Sequence, residues 1–176
     1  SGVSVRVPPT LVPLSHPLAA VHGANNAVFV EAEAAGSLMF YGAGAGGPET
    51  ASAVLGDIVS AARRHVVGGP GVAESTHADL PMVDPGVVPT SYHISLQVND
   101  EPGVLAQIAS VFAEAGVSVE TLSQHAPAEH DAPGALATLV VQTHRASEAS
   151  LRETVDKLAT LPVVASVSGV LRVEGA

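Results

Sequence analysis

The hydrophobic pattern predicts an α+β chain: a βαββαβ sandwich over residues 91–176, preceded by a smaller α/β segment over residues 1–65. Three observations carry this. Tyr92, Ile94, Leu96 and Val98 alternate with His93, Ser95 and Gln97, the period of a half-buried strand. Apolar residues then recur at helical spacing between Gly103 and Gly116. Between residues 66 and 90 Gly and Pro concentrate and no period survives, which is the composition of a linker.

In the second half the first strand spans 91–98. Asn99-Asp-Glu-Pro-Gly makes an acidic turn, in which Pro102 presets φ and Gly103 lets the backbone bend. The spacing of Leu105, Ile108, Ala109 and Phe112 predicts a helix over 104–115 with that stripe buried, stopped by Gly116. A β-branched strand follows at 117–124, a loop at 126–134 and a strand at 135–143. A helix over 147–160 is capped by Ser147, and a last strand spans 163–173. Glu148 with Arg152 and Glu153 with Lys157 are i,i+4 pairs, expected to form a solvated face opposite Leu151, Val155 and Leu158.

The first half is less self-sufficient. Strands are expected at 3–7, 26–33 and 37–41, with a short helix at 17–21 entered behind Ser15. A helix over 50–64 follows the Gly42–Gly47 run. Three short strands and one helix cannot easily close a core, so their apolar faces are expected to need further sequence. The opening Ser-Gly-Val, without Met, fits a start inside a longer protein.

Composition narrows the function. With 47% hydrophobic and 14% charged residues the chain can pack a core of Val, Leu, Ala and Ile, since aromatics are only 3%. A net charge of −10 with seven scattered basic residues opposes a phosphate-tracking surface, so no nucleic acid is expected. No apolar run reaches the roughly 18 to 20 residues of a membrane helix, so no membrane partner is expected. The absence of cysteine excludes disulfides and thiolate metal sites and permits a reducing cytoplasm.

Residues 6–59 resemble the end of the catalytic region of homoserine dehydrogenase. The likeness rests on Arg6-Val-Pro-Pro-Thr-Leu-Val-Pro, Ser15-His-Pro-Leu-Ala-Ala-Val, Asn26-Ala-Val-Phe-Val, and Tyr41-Gly-Ala-Gly-Ala-Gly-Gly ahead of Thr50-Ala-Ser-Ala-Val-Leu-Gly-Asp-Ile-Val. Residues 91–173 resemble an ACT domain, a ferredoxin-like regulatory module that follows that region in many such enzymes. The resemblance implies a parent enzyme that interconverts L-homoserine and L-aspartate 4-semialdehyde with NAD(P). The sole lysine, Lys157, falls in the ACT-like half, and no GxGxxG strand–turn–helix is present, so this chain alone is expected to be inactive and to carry no catalytic residue.

Two sites follow. By resemblance Gly44 and Gly46 border the nicotinamide nucleotide in the whole enzyme, although a tight strand-to-helix connection explains the glycines equally well. The turn before the helix at 104 is the candidate effector site. There the resemblance places Asp100 on a ligand ammonium, the amides of Gly103, Val104 and Leu105 on its carboxylate, and Asn99 and Ser118 along the pocket. Threonine, the pathway's end product, is the implied effector, and a homodimer or higher homo-oligomer the implied assembly. His93, His125, His130 and His144 lack converging partners and are expected to bind no metal. The alternative is a free-standing amino-acid-sensing ACT module whose first segment resembles a dehydrogenase by chance.

Overall fold

A computed structural model describes residues 2–69, 79–125 and 136–174. In chain order the elements are β1 (Thr10–Leu11), β2 (Asn25–Ala32), β3 (Gly36–Ala43), α1 (Gly47–Val67), β4 (Pro89–Asn99), α2 (Val104–Glu114), β5 (Val119–His125), β6 (Leu136–Thr143), β7 (Ala146–Ser147), α3 (Glu148–Thr160) and β8 (Val164–Val173). Single 3-10 turns occupy Pro17–Ala20 and Pro85–Val87. The loop expected at 126–134 lies outside the described residues. No described helix is long and apolar enough to cross a membrane.

The chain forms two compact units, one gathering residues up to Val12 with those from Leu80 onward, the other Pro13–Asp79. This cut differs from the division at 65 and 90 read from composition. The Gly/Pro-rich stretch marks only part of the boundary: α1 runs on to Val67, β4 already begins at Pro89, and the first twelve residues pack with the second half.

The first unit is the ferredoxin-like α+β sandwich of the sequence reading. Its sheet runs β1-β8-β4-β6-β5, with β4 antiparallel to both β6 and β8, and β1 added parallel to β8 at the edge. Alternation along β4 sends Tyr92, Ile94, Leu96 and Val98 into a core shared with Leu139 and Val141 of β6 and with both helices. Gly116 ends α2 with φ +66, and the bonds Gly116 N–H to Ala113 and Val117 N–H to Phe112 complete a Schellman turn. Ser147 caps α3 by accepting from the Ser150 amide at 3.1 Å.

Three expectations need correction. The buried stripe of α2 is Val104, Ile108, Val111 and Phe112, whereas Leu105 and Ala109 are exposed. Both stripes are apolar, so periodicity alone could not say which one faces the sheet. The strand expected at 3–7 is reduced to a bridge between Val3 and Met82, and pairing with β8 comes later, at Thr10–Leu11. Finally, the turn at Pro17 is capped by His16, whose Nδ1 accepts from the Leu18 amide at 3.2 Å, and not by Ser15.

The second unit holds the β2–β3 hairpin, paired from Asn25↔Ala43 to Ala32↔Gly36, and α1. None of its described residues is buried. Val28, Phe40, Val54, Leu55 and Ile58 all stand more than half exposed, which agrees with the expectation that these faces need further partners.

Candidate functional site

The Asp100–Gly103 turn opens α2 onto a cavity of about 340 Å³ lined by Val98, Asn99, Glu101, Pro102, Gly103, Val104, Leu105, Ala106 and Gln124. Gly103, at φ +91, is the N-cap and brings no side chain to the first-turn amides. The Val104 amide reaches the Glu101 carbonyl only at 3.4 Å. Leu105 and Ala106 come too early in the helix for an i→i−4 acceptor. Donors and the positive end of the helix therefore face the cavity. Asp100 accepts from Gln124 Nε2 at 3.2 Å, which places a carboxylate next to the lining on the β5 side.

Of the residues singled out from sequence, Asn99, Gly103, Val104 and Leu105 line this cavity, and Asp100 joins through Gln124. Ser118 does not. It lies before β5, at the opposite end of that strand from Gln124, and is fixed by its carbonyl accepting from the His144 amide at 2.9 Å. Gln124 was missed. The sequence gives it no mark beyond its position near the end of a strand.

Gly46 has a local reason to be glycine, since it caps α1 at φ +147, whereas a Cβ on Gly44 would meet only the movable side-chain amide of exposed Asn26. Among the described residues no three His, Asp or Glu side chains converge as a metal site. Lys157 pairs with Glu153 at 2.9 Å on the exposed face of α3, as the i,i+4 reading expected, and that hydrogen bond raises its pKa.

Glu148 overturns the other half of that expectation. Its residue is 1% exposed, at the start of α3, and it is the hub of a charged cluster. Arg172 of β8 binds it bidentately, Nε to Oε2 at 3.2 Å and Nη2 to Oε1. Tyr92 Oη donates to Oε1 at 2.9 Å, Arg152 Nη2 at 3.4 Å, and Arg6 Nη1 lies 3.7 Å from Oε2. Burial alone would raise this carboxyl, but the hydrogen bonds from Arg172 and Tyr92 and the Arg172 charge outweigh it and hold it below the usual range. Burial first, then the bond to Glu148, pushes Tyr92 up, and the same carboxylate raises Arg172. Local i,i+4 spacing finds Arg152 but gives no sign of Tyr92, Arg172 or Arg6, which arrive from distant sequence.

A ferredoxin-like α+β sandwich with a cavity at its helix turn, in one chain with a unit that buries none of its described residues, is the class of protein these observations define. Residues 1–59 match the homoserine dehydrogenase family, and residues 92–163 match the ACT domain. The chain is 54% identical over 173 residues to homoserine dehydrogenase of Mycobacterium tuberculosis, covering 98% of this chain and 39% of that protein. It is 53% identical over 174 residues to that of Corynebacterium glutamicum, covering 99% and 38%. A solved homoserine dehydrogenase from Thiobacillus denitrificans superposes with a TM-score of 0.85 at 34% identity, over 98% of this chain and 39% of that one. The chain belongs to the homoserine dehydrogenase family and carries an ACT domain. It spans about two fifths of the length of the relatives it matches. A chance likeness of the first segment to a dehydrogenase, as the alternative reading required, does not survive these matches.

Proposed function

We propose that this chain is the effector-binding part of a homoserine dehydrogenase, an oxidoreductase that interconverts L-homoserine and L-aspartate 4-semialdehyde with NAD(P). The chain itself would bind an amino acid, with threonine as the effector, and would not transfer hydride. One observation carries the reading: uncapped first-turn amides of α2 open onto a cavity that has a carboxylate beside it at Asp100. The amides of Val104 and Leu105 suit an α-carboxylate, and Asp100 suits an α-ammonium.

Leu105 and Leu122 are 42% and 45% exposed, and Leu122 shares its face of β5 with Gln124. Apolar surface at a ligand site favours cover by a second copy of the chain, whose own strand residues, Ser118 among them, would complete the pocket in a homodimer. Ligand held between copies would then bias their arrangement through differential affinity. In the whole enzyme Gly44 and Gly46 would border the nicotinamide nucleotide. The Glu49 carboxylate beside Gly46 repels phosphate, so this loop would suit the nicotinamide end of the cofactor, neutral when reduced and cationic when oxidised, better than its diphosphate. No lysine stands in this segment to serve as an acid, because Lys157 sits on α3. The lack of cysteine is compatible with a reducing cytoplasm.

Titrating threonine into the 15N-labelled chain tests the proposal. Saturable shifts are expected at Val104, Leu105 and Gln124, with a larger species in gel filtration, and Asp100→Asn should remove both. Absence of shifts at millimolar threonine would overturn it.

A further inference from the structure

At the end of the ACT sheet away from the α2 cavity, three strands bring polar side chains together on the face that carries no helix. Alternation along β4 turns Ser91 away from the core that holds Tyr92 and Ile94. The β4–β6 register, His93↔Gln142, extends by two residues to set Ser91 opposite His144. The His144 amide donates to the Ser118 carbonyl at 2.9 Å, which draws the start of β5 in beside it. On β5 Glu120 is an extra residue, since Val119 pairs with Thr143 and Thr121 with Gln142. That bulge turns Glu120 to the side of Gln142, whose Nε2 donates to Glu120 Oε2 at 3.0 Å.

Ser91, Glu120, His144 and Arg145 line a cavity of about 340 Å³ there. Ser91 is only 5% exposed, and its hydroxyl has no hydrogen-bond partner among the described residues. The hydroxyl is not sealed, however. Among the described residues the side-chain polar atom that is both sealed and unpartnered is Arg6 Nη1, so Ser91 Oγ can be reached from the cavity. Glu120 Oε1 and the His144 ring are likewise unbonded, and Arg145 uses one N–H of its fork on the Pro89 carbonyl at 3.4 Å. Glu120 and Arg145 border this one cavity yet form no ion pair with each other. Opposite charges held apart across a gap leave each other largely unneutralised.

We propose that this cavity binds a small zwitterion, a free α-amino acid, with its carboxylate on Arg145 and the Ser91 hydroxyl and its ammonium on Glu120. A molecule that carries both charges meets both unpaired groups at once. A lone anion is opposed by Glu120 and by the chain's net charge of −10, and a lone cation by Arg145. The His144 ring is left to meet a polar group on the ligand's side chain. The cavity shares no lining residue with the one at the α2 turn, so it is a second site that does not depend on the effector reading.

Backbone amide and arginine Nε–Hε resonances of the labelled chain can be followed during titration with glycine, the smallest such zwitterion. Acetate and methylammonium serve as its two halves, with ionic strength matched by sodium chloride. Saturable shifts at Ser91, Glu120, His144 and Arg145 are expected with millimolar glycine, and much weaker binding of either half. Glu120→Gln and Arg145→Gln, both changes at exposed side chains, should each weaken glycine about tenfold, the loss of one charged hydrogen bond. Ser91→Ala should weaken it severalfold. In Asp100→Asn, which disables the α2 turn, glycine should still bind here with unchanged affinity. No saturable response to glycine, an equal response to acetate, or affinities unchanged in both charge variants would overturn the proposal. Loss of the shifts in Asp100→Asn would overturn it too, by assigning them to the α2 turn of a neighbouring copy.

Discussion

The two units of this chain use similar residues to opposite effect. In the ACT unit Ile108, Leu139, Leu151 and Leu158 are wholly inaccessible, whereas in Pro13–Asp79 no described residue is buried, although α1 carries Val54, Leu55, Ile58 and Val59. Apolar content does not make a core; the number of layers available to cover each face does. The ACT sheet has two helices to pack with and an added edge strand, while a lone hairpin and helix have too little to close over. Hydrogen exchange should show the widest contrast. Amides of β4 and β6 should open only near the global stability, on the order of 5–15 kcal/mol, and those of α1 at close to zero cost. Equal protection in α1 and β4 would break the comparison.

The next largest effect concerns the joint between the first residues and the ACT sheet. Glu148→Ala should destabilise the ACT unit by about 3–5 kcal/mol, because Arg172 and Arg6 would be left around an empty site. Chemical denaturation of the two proteins measures it. The sign of the pH dependence follows from the lowered folded-state pKa of Glu148. Its contribution is fully present above the unfolded value of about 4.3 and is lost as pH falls through the folded value. The gap between wild type and variant should therefore narrow below about pH 4. A gap that stays constant, or widens in acid, would show that the carboxylate charge is not what holds the cluster.

Local signals carried much of the sandwich into the sequence. The period of two along Tyr92–Val98, the Gly116 stop and the Ser147 cap each act within a few residues, and each is where the structure has it. What the sequence withheld depends on tertiary partners. The choice between the Leu105/Ala109 and Val104/Val111 stripes is made by the sheet, and the burial of Glu148 by Arg172 and Tyr92. The candidate site divides the same way. Asn99 through Leu105 were legible as one turn, whereas Gln124 reaches the cavity only because β5 returns beside it.

A smaller change sharpens the local side of this contrast. Ser147→Ala removes the oxygen that accepts the Ser150 amide and should cost about 1 kcal/mol, since water can reach only part of that helix end. Ser147→Asp should restore most of the loss in the same denaturation series, as a cap oxygen and a negative charge both suit a helix start. No loss in the alanine variant would mean that α3 is held by its buried face alone.

The least effect is expected where the residue looks most core-like. Ile58 and Ile108 are the same residue at mid-helix, yet Ile58 is 56% exposed and Ile108 is 0% exposed. Alanine at 108 should cost about 2–5 kcal/mol through lost burial and the cavity left behind. Alanine at 58 should change the stability of this chain by no more than about 0.5 kcal/mol, because little contact is lost and alanine is the better helix former. Parallel urea denaturation of the two variants reads the difference. A large cost at Ile58 would mean that α1 is covered after all, as by a second copy of the chain, and dilution would then separate that case by making the cost fall with protein concentration.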